Sequence, residues 1–146
     1  MSSEELAVPK KIMACLDGSE TGYRAADFGM ALAKKLGCRI LFVNVVGAST
    51  SEPNYTISAD MVGSFQVMGS EALSRCADKA RAHSILFETE QLSGDPADEI
   101  IRDAKEAGCD CIVIGRKGLG RLEKLLLGSV SEKVLKHSEI PVIIVK

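Results

Sequence analysis

Short apolar runs alternate with amphipathic stretches along this chain. Residues 11–16 (KIMACL), 39–46 (RILFVNVV), 111–114 (CIVI) and 141–145 (PVIIV) are runs of strand length. They have the β-branched, two-sided apolar character of a parallel strand covered on both faces. Residues 85–90 (ILFETE) alternate partly with charge, which suits an edge strand. Between the runs, apolar positions recur at helical spacing. Ala25, Phe28, Gly29, Leu32 and Leu36 form one such face, stopped by Gly37; Val62, Phe65, Gly69, Leu73, Cys76 and Ala80 form a second. Ile100, Ile101 and Ala104 form a third, opened by Asp95-Pro96 and ended by Gly108, and a fourth helix is expected from Ser129 to about His137. The polar stretch 47–59 is the longest loop and the expected mobile flap. Strands alternating with helices predict an α/β fold: a single doubly wound, five-stranded parallel sheet with helices on both faces.

A length of 146 residues suits one domain, here residues 1–146 with 1–9 as a loose leader. Apolar content of 46 % and charged content of 26 % are ordinary for a globular chain. The formal charge of −2 supplies no field toward nucleic acid or an anionic membrane. No run approaches the ~20 apolar residues that span a bilayer, and the polar start lacks a signal-peptide pattern. The expected location is therefore cytoplasmic. Cys15, Cys38, Cys76, Cys109 and Cys111 are read as reduced core residues. One Cys-x-Cys without a second pair is a poor zinc pattern, although both thiols would point the same way on a strand.

The chemistry concentrates in residues 111–134, CIVIGRKGLGRLEKLLLGSVSEKV. Gly115 and Gly118 after an apolar strand allow the backbone to approach a ligand closely. Arg116, Lys117, Arg121 and Lys124 make the following loop basic, and Gly128-Ser129 opens a helical pattern. At that helix start, Gly128, Ser129, Val130 and Ser131 offer N–H groups and hydroxyls to an anion, helped by the helix dipole. A side chain at Gly128 would intrude on the anion and strain any left-handed conformation adopted there. The plainer readings are that the glycines turn the chain, the basic residues are solvated, and Ser129 or Ser131 caps its own helix.

The spacing Gly115-x2-Gly118-x9-Gly128-Ser129 resembles the nucleotide signature of the universal stress protein family, in its ATP-binding branch. The tail GSVSEKVLKHSEIPVIIVK also resembles that family's C-terminus, and the likeness covers nearly the whole chain. It implies the adenine nucleotide alpha-hydrolase-like sheet with strand order 3-2-1-4-5. The winding then reverses between strands one and four, whose carboxyl ends lie at Asp17 and Gly115, where ligands of such sheets bind. The resemblance further implies ATP with Mg²⁺ or Mn²⁺. Leu16 and Asp17 would lie beside the ribose and the metal-bound phosphates, with Asp17 as the protein's metal ligand. Val45 would meet adenine through its backbone, with Gly115, Arg116, Gly118, Gly128, Ser129, Val130 and Ser131 around ribose and phosphates. The alternative role of Asp17 is to cap the helix beginning near Ser19. The resemblance also implies a homodimer joined antiparallel through the last strand.

Other phosphate chemistry is excluded by inspection: there is no G-x4-G-K-[ST] loop and no G-x-G-x-x-G after strand one. Asp17-Gly18-Ser19 is not the Ser-Gly-Gly-x-Asp loop of ATP pyrophosphatases, and His83 and His137 lie far along helices from the site. The preferred expectation is an ATP-binding regulatory or stress-response module. The alternatives are a slow Mg-dependent ATPase, lacking a clear base or arginine finger, and a ligand-free dimeric scaffold.

Overall fold

The computed structural model describes residues 6–47, 58–117 and 127–146. Within them the chain runs β1 (Lys11–Cys15), α1 (Glu20–Leu36), β2 (Arg39–Val46), α2 (Ala59–Ala82), β3 (Phe87–Ser93), α3 (Pro96–Glu106), β4 (Cys111–Gly115), α4 (Ser129–His137) and β5 (Val142–Val145). All pairings are parallel and the sheet order is β3-β2-β1-β4-β5. β1 is flanked by β2 and β4, so the winding reverses between β1 and β4, as the expected order requires.

The pleat of the central strands explains the two-sided apolar runs. Ile12, Ala14, Ile40, Phe42, Cys111 and Val113 face one layer with α1 and α2. Met13, Cys15, Leu41, Val43, Ile112 and Ile114 face the other with α3 and α4. Each residue along these strands therefore meets a helix, which is why no polar alternation shows in the sequence.

Helix α1 packs on the sheet through small residues: Gly22, Ala25, Ala26, Gly29 and Ala33 are buried, with Met30. A Cβ at Gly29 would stand 3.2 Å from Ile40 Cδ1 and 3.6 Å from Ala14 Cβ. This bears out Ala25 and Gly29 on the expected face, with Leu32 packed against the core, and corrects Phe28 and Leu36. Phe28 is 48 % exposed and Leu36 is also exposed, because close helix–sheet approach selects small side chains and turns the larger neighbours outward. The edge strand likewise runs two residues later at its start than expected and continues through Ser93. Ser19, Ser58 and Asp95 cap α1, α2 and α3 with side-chain oxygens, and Pro96 opens α3 as expected.

All five cysteines are buried and unbridged. Cys109 and Cys111 do not point the same way, however. Cys109 packs in the α3–α4 layer and Cys111 in the α1–α2 layer. Cys109 belongs to the turn after Gly108 rather than to the strand, so the two-residue pleat does not apply to it. Burial pushes the Cys76 and Cys109 thiols up to about 11, away from thiolate chemistry.

Candidate functional site

The carboxyl ends of β1 and β4 and the first turns of α1 and α4 meet at the reversal of the winding. After β1, the Leu16 N–H donates to the Val43 carbonyl at 2.8 Å, which carries the chain one step beyond the strand before it turns. Gly18 takes φ +87°, a conformation that favours glycine, and a Cβ there would also lie 2.6 Å from Met68 Cγ of α2. Asp17 Oδ1 accepts from the Ser19 N–H at 2.9 Å and from its hydroxyl, while Ser19 Oγ accepts from the Gly22 N–H at 3.1 Å. Ser19 is thus the cap of α1, and Asp17 braces the cap rather than forming it.

The first turn of α1 touches both halves of the crevice. A Cβ at Gly22 would lie 2.9 Å from Asp17 Oδ1, and a Cβ at Gly115 would lie 2.8 Å from Thr21 Cγ2. Gly115 is therefore required by the approach of α1 to the end of β4, a contact made inside the protein. On the other side, the Arg116 N–H donates to the Val145 carbonyl at 2.7 Å, and the Arg116 carbonyl accepts from the Gly128 N–H at 2.8 Å. The chain leaving β4 and the chain entering α4 are joined at this point.

Gly128 is the cap residue of α4 in extended conformation, φ −69° and ψ 161°, with no side-chain cap bond. The backbone at Gly128 is not left-handed, so a substitution there acts through its side chain alone. Ser131 is 3 % exposed, and its hydroxyl donates to the Gly115 carbonyl at 2.6 Å. It neither caps α4 nor faces outward. Ser129 and Val130, half-buried, form the first turn of α4 with it.

The structure thus brings Leu16, Asp17, Gly115, Arg116, Gly128, Ser129, Val130 and Ser131 to one end of the sheet. Val45 lies near the carboxyl end of β2, opposite Leu92 of β3. Gly118, Arg121, Lys124 and most of the expected flap, residues 48–57, lie outside the described residues. His83 and His137 close α2 and α4, at the ends of those helices remote from this crevice. Sequence reasoning missed Thr21, Met68 and Asn44. Asn44 alone carried a signal, as a polar residue inside an apolar run.

A family model described as universal stress protein family matches residues 9–146. The chain belongs to the universal stress protein family. A member from Methanocaldococcus jannaschii is 35 % identical over 142 residues, covering 94 % of this chain and 82 % of its own. One from Bacillus subtilis is 32 % identical over 146 residues, covering 93 % of this chain and 98 % of its own. Among solved structures, an Arabidopsis thaliana family member with AMP bound superposes with a TM-score of 0.69 at 23 % identity, covering 94 % of this chain and 92 % of that one. Such a likeness expresses the shared fold. Among the described residues, no group of three or more His, Cys, Asp or Glu side chains is arranged to hold a metal ion by itself. No described helix is long and apolar enough to cross a membrane.

Proposed function

We propose that this family member binds ATP with Mg²⁺ or Mn²⁺ in the crevice between β1 and β4 and acts as a nucleotide-dependent regulatory or stress-response module. The observation that carries the reading is the convergence of Asp17 with the first turn of α4 at the point where the winding reverses. A carboxylate on one side and helix N–H groups on the other match the two ends of a metal–polyphosphate. Gly115 at the end of β4, with Arg116 and Gly118 after it in the sequence, would lie against ribose and phosphates. Leu16 and Val45 supply the strand ends on which ribose and adenine would rest. One carboxylate, with no ligand cage around it among the described residues, fits a hard cation that arrives with its phosphates and keeps several waters. The AMP held by the Arabidopsis relative is in keeping with an adenine nucleotide on this fold. The proposed assembly is a homodimer paired through β5, and the proposed location is cytoplasmic.

Titration of the purified protein with ATP, in Mg²⁺ and in chelator, tests the reading. Gly128→Val should abolish ATP binding while circular dichroism remains unchanged, since the extended backbone at Gly128 accepts a β-branched residue. Asp17→Ala should weaken binding in Mg²⁺ more than in chelator. Wild-type affinity in Gly128→Val would remove the phosphate assignment, and equal losses in both conditions for Asp17→Ala would remove the metal role. Phosphate release over hours separates this regulatory reading from a slow ATPase.

A further inference from the structure

Asn44 is a buried polar residue within the apolar strand β2. Its side chain reaches the residue immediately before Asp17: Nδ2 donates to the Leu16 carbonyl at 2.8 Å. Its Oδ1 accepts from Gln91 Nε2 of β3 at 3.1 Å, and the same Nε2 donates to the Gln66 carbonyl of α2 at 2.9 Å. The Gln91 donor decides which end of the Asn44 amide is the acceptor, so the amino end must face Leu16. A flipped amide would set Oδ1 against the Leu16 carbonyl, two acceptors without a proton between them.

The amide also lies close beneath α2. A Cβ at Gly69 of α2 would lie 2.0 Å from Asn44 Oδ1, so the helix backbone presses directly on it. Helix α2 touches the same turn again where Met68 lies against Gly18. The segment 16–18 is therefore held to α2 twice, once by packing and once through the chain Leu16–Asn44–Gln91–Gln66.

We propose that Asn44 is a positioning residue for the nucleotide crevice. By anchoring the Leu16 carbonyl it fixes the peptide plane from which Asp17 departs, and through Gln91 it ties that plane to α2. The proposal rests on the nucleotide reading above. Leu16 has run past the end of β1, so its carbonyl depends on a side-chain donor where it would otherwise be buried and unmatched. Rotation of that peptide would carry the Asp17 carboxylate away from a bound cation. Asn44 itself touches no ligand in this arrangement.

Two variants separate positioning from bulk packing. Asn44→Asp, when protonated, offers an O–H where the Nδ2–H stood and keeps an oxygen for Gln91; when ionised it faces the Leu16 carbonyl with no proton. Asn44→Leu is similar in size and has no donor at any pH. Calorimetric titration with Mg·ATP, from about pH 8 down to about pH 5, should find both variants binding about tenfold more weakly than wild type at the upper end. Asn44→Asp should regain most of that loss as it protonates, measured relative to wild type at each pH, and Asn44→Leu should not. Hydrogen exchange of the ligand-free protein should show the Leu16 and Ser19 amides accelerated well beyond Val113 in both variants. Wild-type affinity in both variants, or acceleration spread evenly over the sheet, overturns the proposal. A wild type that binds no ATP removes the nucleotide reading alone; the exchange pattern then decides whether Asn44 positions Leu16 and Asp17. Should Asn44→Asp fail to fold, Gln91→Leu at the exposed end of the chain serves instead. It should give a smaller loss in the same direction, and an unchanged affinity there counts against the proposal.

Discussion

Ser131 and Gly115 are bonded side chain to backbone: the serine hydroxyl of α4 donates to the last carbonyl of β4 at 2.6 Å. The start of α4 is thereby fastened to the end of the strand, and the ends of the intervening loop are brought together a second time by the Gly128 N–H on the Arg116 carbonyl. The serine acts on the crevice by setting where the helix N-terminus stands.

Ser131→Ala removes this donor from a buried site and should cost about 1–2 kcal/mol of stability. Release of α4 from β4 should also weaken ATP binding several-fold, while Ser131→Thr, which keeps a hydroxyl, should lose less. Urea unfolding alongside ATP titration measures both effects. An Ala variant of wild-type stability would show that this bond carries no net free energy.

Gly115→Ala should be destabilising for a reason unrelated to any ligand. The new methyl would stand 2.8 Å from Thr21 Cγ2 and 3.2 Å from both the Thr21 carbonyl carbon and its oxygen. Helix α1 must back away, at a cost of about 1–3 kcal/mol. Thr21→Ser removes the Cγ2 clash and leaves the backbone contacts, so the double variant should recover part of the loss. A double-mutant cycle by chemical denaturation reads the coupling, and strictly additive effects would contradict the contact.

The architecture was legible because β2 and β4 are continuous apolar runs bounded by turn residues, a pattern that buried parallel strands leave in few other ways. The cap at Asp95-Pro96 and the stop at Gly37 were legible for the same local reason. The inward face of α1 was legible only in part, through Ala25, Gly29 and Leu32. Its contact residues are mostly glycines and alanines, whose value lies in the space they leave, whereas Phe28 and Leu36 dominate a reading by hydrophobicity. Of the crevice, Asp17, Gly115 and Gly128-Ser129 stood out as residue types at strand ends and a helix start. What each side chain and backbone group bonds to was hidden, since Ser131 on Gly115 and Gly128 on Arg116 are contacts set by tertiary approach.

β5 occupies one edge of the sheet, paired on one side with β4 through Ile112↔Val142 to Gly115↔Val145. Its apolar residues Val142–Val145 are only half-buried within one chain. An apolar edge of this kind is a template for a second copy related by a two-fold axis. Light scattering should therefore find a homodimer at micromolar concentration. Ile143→Pro, which removes one N–H from the strand, should shift the population to monomer if circular dichroism shows it folded. A wild type that stays monomeric well above that range would exclude pairing through β5.

The opposite edge carries a pH response of its own. Glu90 on β3 has its carboxyl raised to about 6, first by burial, then by the hydrogen bond its protonated form can give Asp103 of α3 and by the negative charges of Asp103 and Glu88, with Lys11 opposing. Asp103 is 6 % exposed, and its Oδ2 has no hydrogen-bond partner among the described residues. A proton on Glu90 supplies the donor this carboxyl pair lacks. The folded state binds that proton more tightly than the unfolded chain, in which a glutamate titrates near 4.3. The contribution is therefore fully present below the unfolded value and is lost as pH rises through about 6. Glu90→Gln mimics the protonated acid at every pH. It should be more stable than wild type at neutral pH by about 1 kcal/mol, a figure already reduced for partial solvent screening. The gap should close as pH falls toward the unfolded value. Urea unfolding of both proteins across that window is the measurement, and a gap that does not change with pH would mean that folding does not raise the Glu90 carboxyl.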